Sequence, residues 1–171
     1  MKQLNLFDSP HHTHSNTPSD SHHFTLFVDG ASRNNPGPAG AGIYLLKDSE
    51  EVCKRGFYLG VKTNNQAEYY ALIFGLFLLE EQLKPSDTVR IVSDSQLLVR
   101  QINGEYQVKK PELKPLHALA QQIVHACSAH VMHVLRTENK QADKMANIAI
   151  DKKLSIPPIF IERLAHHAIT L

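Results

Sequence analysis

Two stretches of this chain, "VDGAS" at residues 28–32 and "VSDSQ" at 92–96, each close an apolar run on an aspartate, Asp29 and Asp94. A third acid, Glu68, stands at the mouth of "TNNQAEYYALIFGL", residues 63–76, which is otherwise almost wholly apolar. A fourth, Asp143, falls in "ENKQADKMAN" near the start of the last strongly patterned helix. Four carboxylates cannot share a small site without a countercharge, because like charges repel and raise one another's pKa. A divalent ion resolves that conflict, and an all-oxygen donor set selects Mg²⁺, with Mn²⁺ able to replace it. Each acid also has a plainer reading: Asp29 as a turn residue before Gly30, Asp94 as a helix N-cap, Glu68 as a first-turn acid and Asp143 as a solvated helix position. Their joint placement at the ends of core elements is what favours a metal site.

The elements that must position them follow from periodicity and turn residues. "FTLFVDG" reads as a buried strand from Phe24 to Asp29, residues 41–47 as a second strand after the turn-rich "NNPGPAGAG", and "VCKRGFYLG" as a third. From Asn65 to about Leu83 the chain reads as a helix apolar on nearly every side, with Glu68 in its first turn, where the helix dipole favours an acid. A strand ending at Asp94, a helix stopping near Gly104, a helix over 110–128, a fifth strand over 129–136 and a last helix over 139–151 complete the pattern. Three antiparallel strands followed by strand-helix alternation imply an α/β fold, a mixed five-stranded sheet flanked by helices. If the first and fourth strands are neighbours, Asp29 and Asp94 meet at one sheet edge, where ligands gather.

At 171 residues the chain has room for one domain with tails. Residues 8–23, "DSPHHTHSNTPSDSHH", lack apolar residues and read as a linker, so the expected organisation is a disordered tail over 1–23, a catalytic domain over 24–151 and a C-terminal tail over 152–171. That last tail reads as a short packed helix or a partner contact. The net charge of +1 gives no general argument for a polyanion partner, so any nucleic-acid surface must be local. No apolar run approaches the roughly 20 residues of a membrane helix, and no secretory leader is visible, which implies no membrane partner and a cytoplasmic location. Cys53 and Cys127 lack metal-type spacing and read as reduced thiols.

The ordered part resembles the type 1 ribonuclease H family. "FVDGASRNNPGPAGAG", "TNNQAEYYAL", "VSDSQLLV" and "ENKQADKMAN" look like that family's four motifs, in order, over about three quarters of the chain. The resemblance implies an RNase H-like fold and an endoribonuclease that hydrolyses the RNA strand of RNA·DNA hybrids, leaving 5′-phosphate and 3′-hydroxyl ends. It implies two Mg²⁺ ions, with Asp29 bridging both, Glu68 and Asp94 holding the nucleophile-side ion and Asp143 the other. Asn64, Asn65 and Gln96 would sense the ribose 2′-hydroxyl, and Thr63 and Asn35 would hold a phosphate of the DNA strand. Where well-known members carry a loop histidine, this chain has "RTEN", which leaves Arg136 as a phosphate contact unable to take up a proton, and His133 as a packed strand residue. The basic insertion of many bacterial members shrinks here to Lys109, Lys110 and Lys114, implying a weak, salt-sensitive grip.

At the other end, "QLNLF" resembles the peptide by which bacterial replication proteins dock into the sliding clamp, with Gln3, Leu4, Leu6 and Phe7 as anchors. A 16-residue linker would span about 22 Å and keep the domain near clamped DNA. The expected state is a monomer. A catalytically silent hybrid- or clamp-binding adaptor and a DNA nuclease on the same fold are the competing readings. The intact acid quartet weighs against the first, Asn65 and Gln96 against the second.

Overall fold

The computed structural model describes residues 21–171, so the QLNLF peptide lies outside the described residues. In chain order the elements are β1 His23–Ser32, β2 Gly37–Lys47, β3 Glu50–Lys62, α1 Asn64–Glu80, β4 Thr88–Ser93, α2 Gln96–Ile102, α3 Lys114–Ala126, β5 His130–His133, α4 Lys140–Lys152 and α5 Pro158–Ala165. Short 3-10 turns at Pro111–Leu113 and Arg136–Glu138 precede α3 and α4. The sheet order is β3-β2-β1-β4-β5. β1 pairs antiparallel with β2 and parallel with β4, which makes the sheet mixed and brings the first and fourth strands side by side as expected.

Strand alternation sends successive side chains of β1 to opposite faces. Leu26 and Val28 pack on one face against Gly75 of α1, and Gly30 on the same side meets the backbone of Ala67 and Glu68. Asp29 faces the other way, opposite Gly42, whose bare α-carbon admits the α4 backbone at Ala142 and Ala146. A methyl group on Gly30 would lie 2.1 Å from the Glu68 nitrogen, so the absence of a side chain there is what lets α1 close onto the strand end. On this face α1 is buried from Ala67 to Leu79 apart from Leu78, which explains an apolar run with no polar side.

Several elements differ from the sequence reading. β2 begins at Gly37, not residue 41, because Pro38 and Ala39 continue the ladder against Val61 and Gly60. β1 begins at His23, and the His22 N–H donates to Asp87 Oδ1 at 2.8 Å, so two of the residues assigned to the linker belong to the sheet end. The helix over 110–128 divides into a 3-10 turn and α3, whose Pro115 sits in the first turn, where its missing N–H costs nothing.

The ordered unit also extends past Asp151. α5 lays Phe160, 2% exposed, against Phe57, Phe74 and Phe77 at ring centroid distances of 5.7, 5.4 and 5.3 Å. Leu164 and Ile169 join the same core. This is the packed-helix alternative for the tail, with Ile159 and Ile161 left exposed on its other side. Phe160→Ala is expected to cost about 3–5 kcal/mol, read as a lowered urea midpoint with an unchanged slope.

Candidate active site

The β1–β4 ladder ends at the pair Phe27 and Val92, and just beyond it the two strands deliver Asp29 and Asp94 to one sheet edge. Asp29, Glu68 and Asp94 line a single cleft of about 420 Å³ together with Ser32, Asn64 and Arg136. Asp94 does not cap α2. Ser95 is the N-cap, its side chain accepting from the Leu98 N–H, which leaves the Asp94 carboxylate available to the cleft.

Glu68 lies beyond the first turn of α1, because that helix starts at Asn64 behind the N-cap Thr63. The dipole at a helix start is confined to its first turn, so it does not account for this acid. Its compensation is local: Glu68 Oε2 accepts from the Gly30 N–H at 3.0 Å. Burial and the charges of Asp29 and Asp94 together hold the Glu68 carboxyl well above its ordinary pKa. Asp29, 6% exposed, is pushed up to about 8, first by burial and then by Asp94 and Asp143. Buried acids that repel one another are costly to ionise, and cation binding is the usual use of such a set.

Asp143 stands in the first turn of α4, as the sequence implied, and its Oδ1 accepts from the Arg136 guanidinium at 2.7 Å. That pairing holds the guanidinium still more firmly protonated. Asp94 Oδ1 likewise accepts from Asn139 at 2.7 Å. As the side chains lie, no group of three or more His, Cys, Asp or Glu among the described residues stands in ion-holding geometry. The donor chemistry fits a hard divalent ion, an all-oxygen set with strongly opposed charges; Asp143 is not among the residues lining the cleft, and its Oδ1 is engaged by Arg136.

The other expected contacts divide. Asn64 lines the acid cleft, and its backbone N–H donates to Asn35 Oδ1 at 2.9 Å, so Asn35 braces the start of α1. Thr63 closes a capping box with Gln66, donor and acceptor both engaged locally. Asn65 lines a neighbouring groove with Leu97, Gln101, Lys109 and Lys110, apart from the acids. Gln96 opens α2 and is exposed.

His133 is exposed rather than packed, its Nε2 3.2 Å from the Asp94 carbonyl, because β5 is a four-residue edge strand with one free side. Arg33 and Asn147, which sequence reasoning did not select, also line the cleft. Asn139 carries no distinguishing signal in the sequence: an asparagine before a helix looks like an ordinary cap, and only the fold shows it turned inward.

Comparison with known proteins adds an independent line. The sequence pattern of the family described as reverse transcriptase-like matches residues 27–149. The chain is 37% identical over 127 residues to ribonuclease HI of Halobacterium salinarum, covering 73% of this chain and 63% of that protein. It is 37% identical over 128 residues to a bifunctional protein of Mycobacterium tuberculosis, covering 72% of this chain but only 34% of that protein. The chain thus spans less than two thirds of the length of these curated relatives. The crystal structure of the H. salinarum RNase H1 superposes with a TM-score of 0.71 at 36% identity, over 76% of this chain and 98% of that one. LC11-RNase H1 in complex with RNA/DNA hybrid superposes with a TM-score of 0.70 at 36% identity, over 77% of this chain and 99% of that one.

Proposed function

The chain belongs to the reverse transcriptase-like family of RNase H fold, and on that premise we propose that it is an endonuclease hydrolysing the RNA strand of RNA·DNA hybrids. The observation that carries this reading is the cleft at the β1–β4 end, where Asp29, Glu68 and Asp94 are held against mutual repulsion. Asp29, Glu68, Asp94 and Asp143 would hold two Mg²⁺ ions, with Mn²⁺ as a substitute. Such ions would supply positive charge at the scissile phosphate and a water of lowered pKa, and the expected products carry 5′-phosphate and 3′-hydroxyl ends.

The chain's own residues do the rest. Asn64, at the cleft wall, is supported as a 2′-hydroxyl contact by an amide that both donates and accepts. Asn65 extends that reading along the adjoining groove, whose Lys109 and Lys110 add charge for the phosphate backbone, and Gln96, exposed at the start of α2, would add a second amide. Thr63 and Asn35, which brace the α1 start, would hold a phosphate of the DNA strand. Arg136, exposed and within reach of Asp143, would hold a substrate phosphate once Asp143 turns to an ion. Arg136→Ala is expected to slow turnover by about 10-fold at unchanged stability; steady-state rates equal to the wild type would make Arg136 a structural partner of Asp143 only.

Docking to a bacterial sliding clamp through Gln3, Leu4, Leu6 and Phe7 completes the proposal, supported by sequence alone, as are a monomeric state and a cytoplasmic location. Among the described residues no helix is long and apolar enough to cross a membrane. Calorimetry of a peptide of residues 1–10 against the clamp should show micromolar binding; no heat of binding would remove clamp docking. The function itself is tested with labelled RNA·DNA hybrid, duplex DNA and duplex RNA, each with and without Mg²⁺. Cleavage confined to the hybrid and dependent on Mg²⁺ is expected, whereas cutting of duplex DNA at the same rate would reassign the site to a DNA nuclease.

A further inference from the structure

Asn139 holds the N-cap position of α4, where an asparagine ordinarily turns its side-chain oxygen onto the free N–H groups of the helix start. Here it makes no such bond. The side chain is turned into the molecule, 1% exposed, with Nδ2 donating to the Val28 carbonyl at 2.9 Å and to Asp94 Oδ1 at 2.7 Å. Its Oδ1 is buried with no hydrogen-bond partner. A forgone cap and an unpaired buried oxygen each cost about 1 kcal/mol or more, so the arrangement serves something other than the stability of α4.

The connections show what that is. The ladder between β1 and β4 stops at Phe27 and Val92, so no bond of that ladder ties the stretch carrying Asp29 to the stretch carrying Asp94. The Asn139 amide spans this gap, from the carbonyl next to Asp29 to the Asp94 carboxylate itself. Its backbone extends the tie: the Asn139 N–H donates to the Arg136 carbonyl and its carbonyl accepts from the Asp143 N–H, both at 3.1 Å. Resting on the function proposed above, we infer that Asn139 is a positioning residue, orienting the Asp94 carboxylate and fixing the α4 start that carries Asp143, so that acids from three elements meet on an ion.

Partners that orient metal ligands change affinity about 10–100-fold when removed. In the full-length protein, Asn139→Ala and the isosteric Asn139→Asp are therefore expected to weaken calorimetric Mn²⁺ binding, measured without substrate, by about 10-fold or more. The Mg²⁺ concentration for half-maximal hybrid cleavage should rise in parallel, with the KM for hybrid at saturating Mg²⁺ within about two-fold of the wild type. Folded variants whose Mn²⁺ affinity stays within about two-fold would overturn the inference. If Asn139→Ala fails to melt cooperatively, Asn139→Asp decides, and loss of folding in both assigns Asn139 to structure alone and overturns it too. A wild type that neither binds Mn²⁺ nor cuts hybrid refutes the proposed function instead, a separate outcome.

Discussion

Asp29→Asn is expected to leave the fold intact and to lower hybrid cleavage by about 10³-fold or more. Asp29 feels the charges of both Asp94 and Asp143, and an amide in its place lacks the negative charge that an ion shared among these acids would require. The same substitution has a signature in stability that needs no substrate. Burial first, and then its acidic neighbours, raise the Asp29 carboxyl from 3.8 to about 8, which chelator-treated protein should reveal. Between those values the native state holds a proton that the unfolded chain has released, so stability falls as pH rises. The contribution is fully present below the unfolded pKa and is lost as pH passes through the folded one. Urea midpoints across pH 4 to 8.5 should fall for the wild type and flatten for Asp29→Asn; parallel curves would show that Asp29 ionises as it does in water.

Glu68→Gln is expected to separate stability from activity. The amide keeps an oxygen for the Gly30 N–H and cannot take on the charge that burial, Asp29 and Asp94 oppose. Relief of about 1 kcal/mol would raise the melting temperature by roughly 2–4 °C for a domain of this size. Cleavage should meanwhile drop by about 10²–10³-fold, the range for loss of one preorganised charge-stabilising group. Calorimetric melting and single-turnover cleavage on the same preparation check both halves. A variant that melts lower and still cuts at the wild-type rate would assign Glu68 to packing.

Much of this was legible in the residues because core elements announce themselves by period. The β1 and β4 runs ending on Asp29 and Asp94, the apolar α1 and the alternation after β3 all follow from local pattern, and the sheet order then puts the two aspartates side by side. What stayed hidden depends on contacts between distant segments. The support of Glu68 comes from the Gly30 backbone 38 residues away, not from its own helix. α5 is a helix whose burial is settled by three phenylalanines of other elements. Asn139 reads locally as a cap and acts across 111 residues on Val28. His133 was misplaced because a strand pattern does not say which strand is the edge.

The central claim is that Asp29, Glu68, Asp94 and Asp143 close on divalent ions against a nucleic-acid backbone. Anomalous diffraction from crystals of the protein grown with Mn²⁺ and a non-cleavable RNA·DNA hybrid tests it most directly. Two peaks among these four carboxylates, with the Asp143–Arg136 pair opened, are predicted. Hybrid bound at the cleft with no ion on Asp29, or with ions held only elsewhere, would contradict the account.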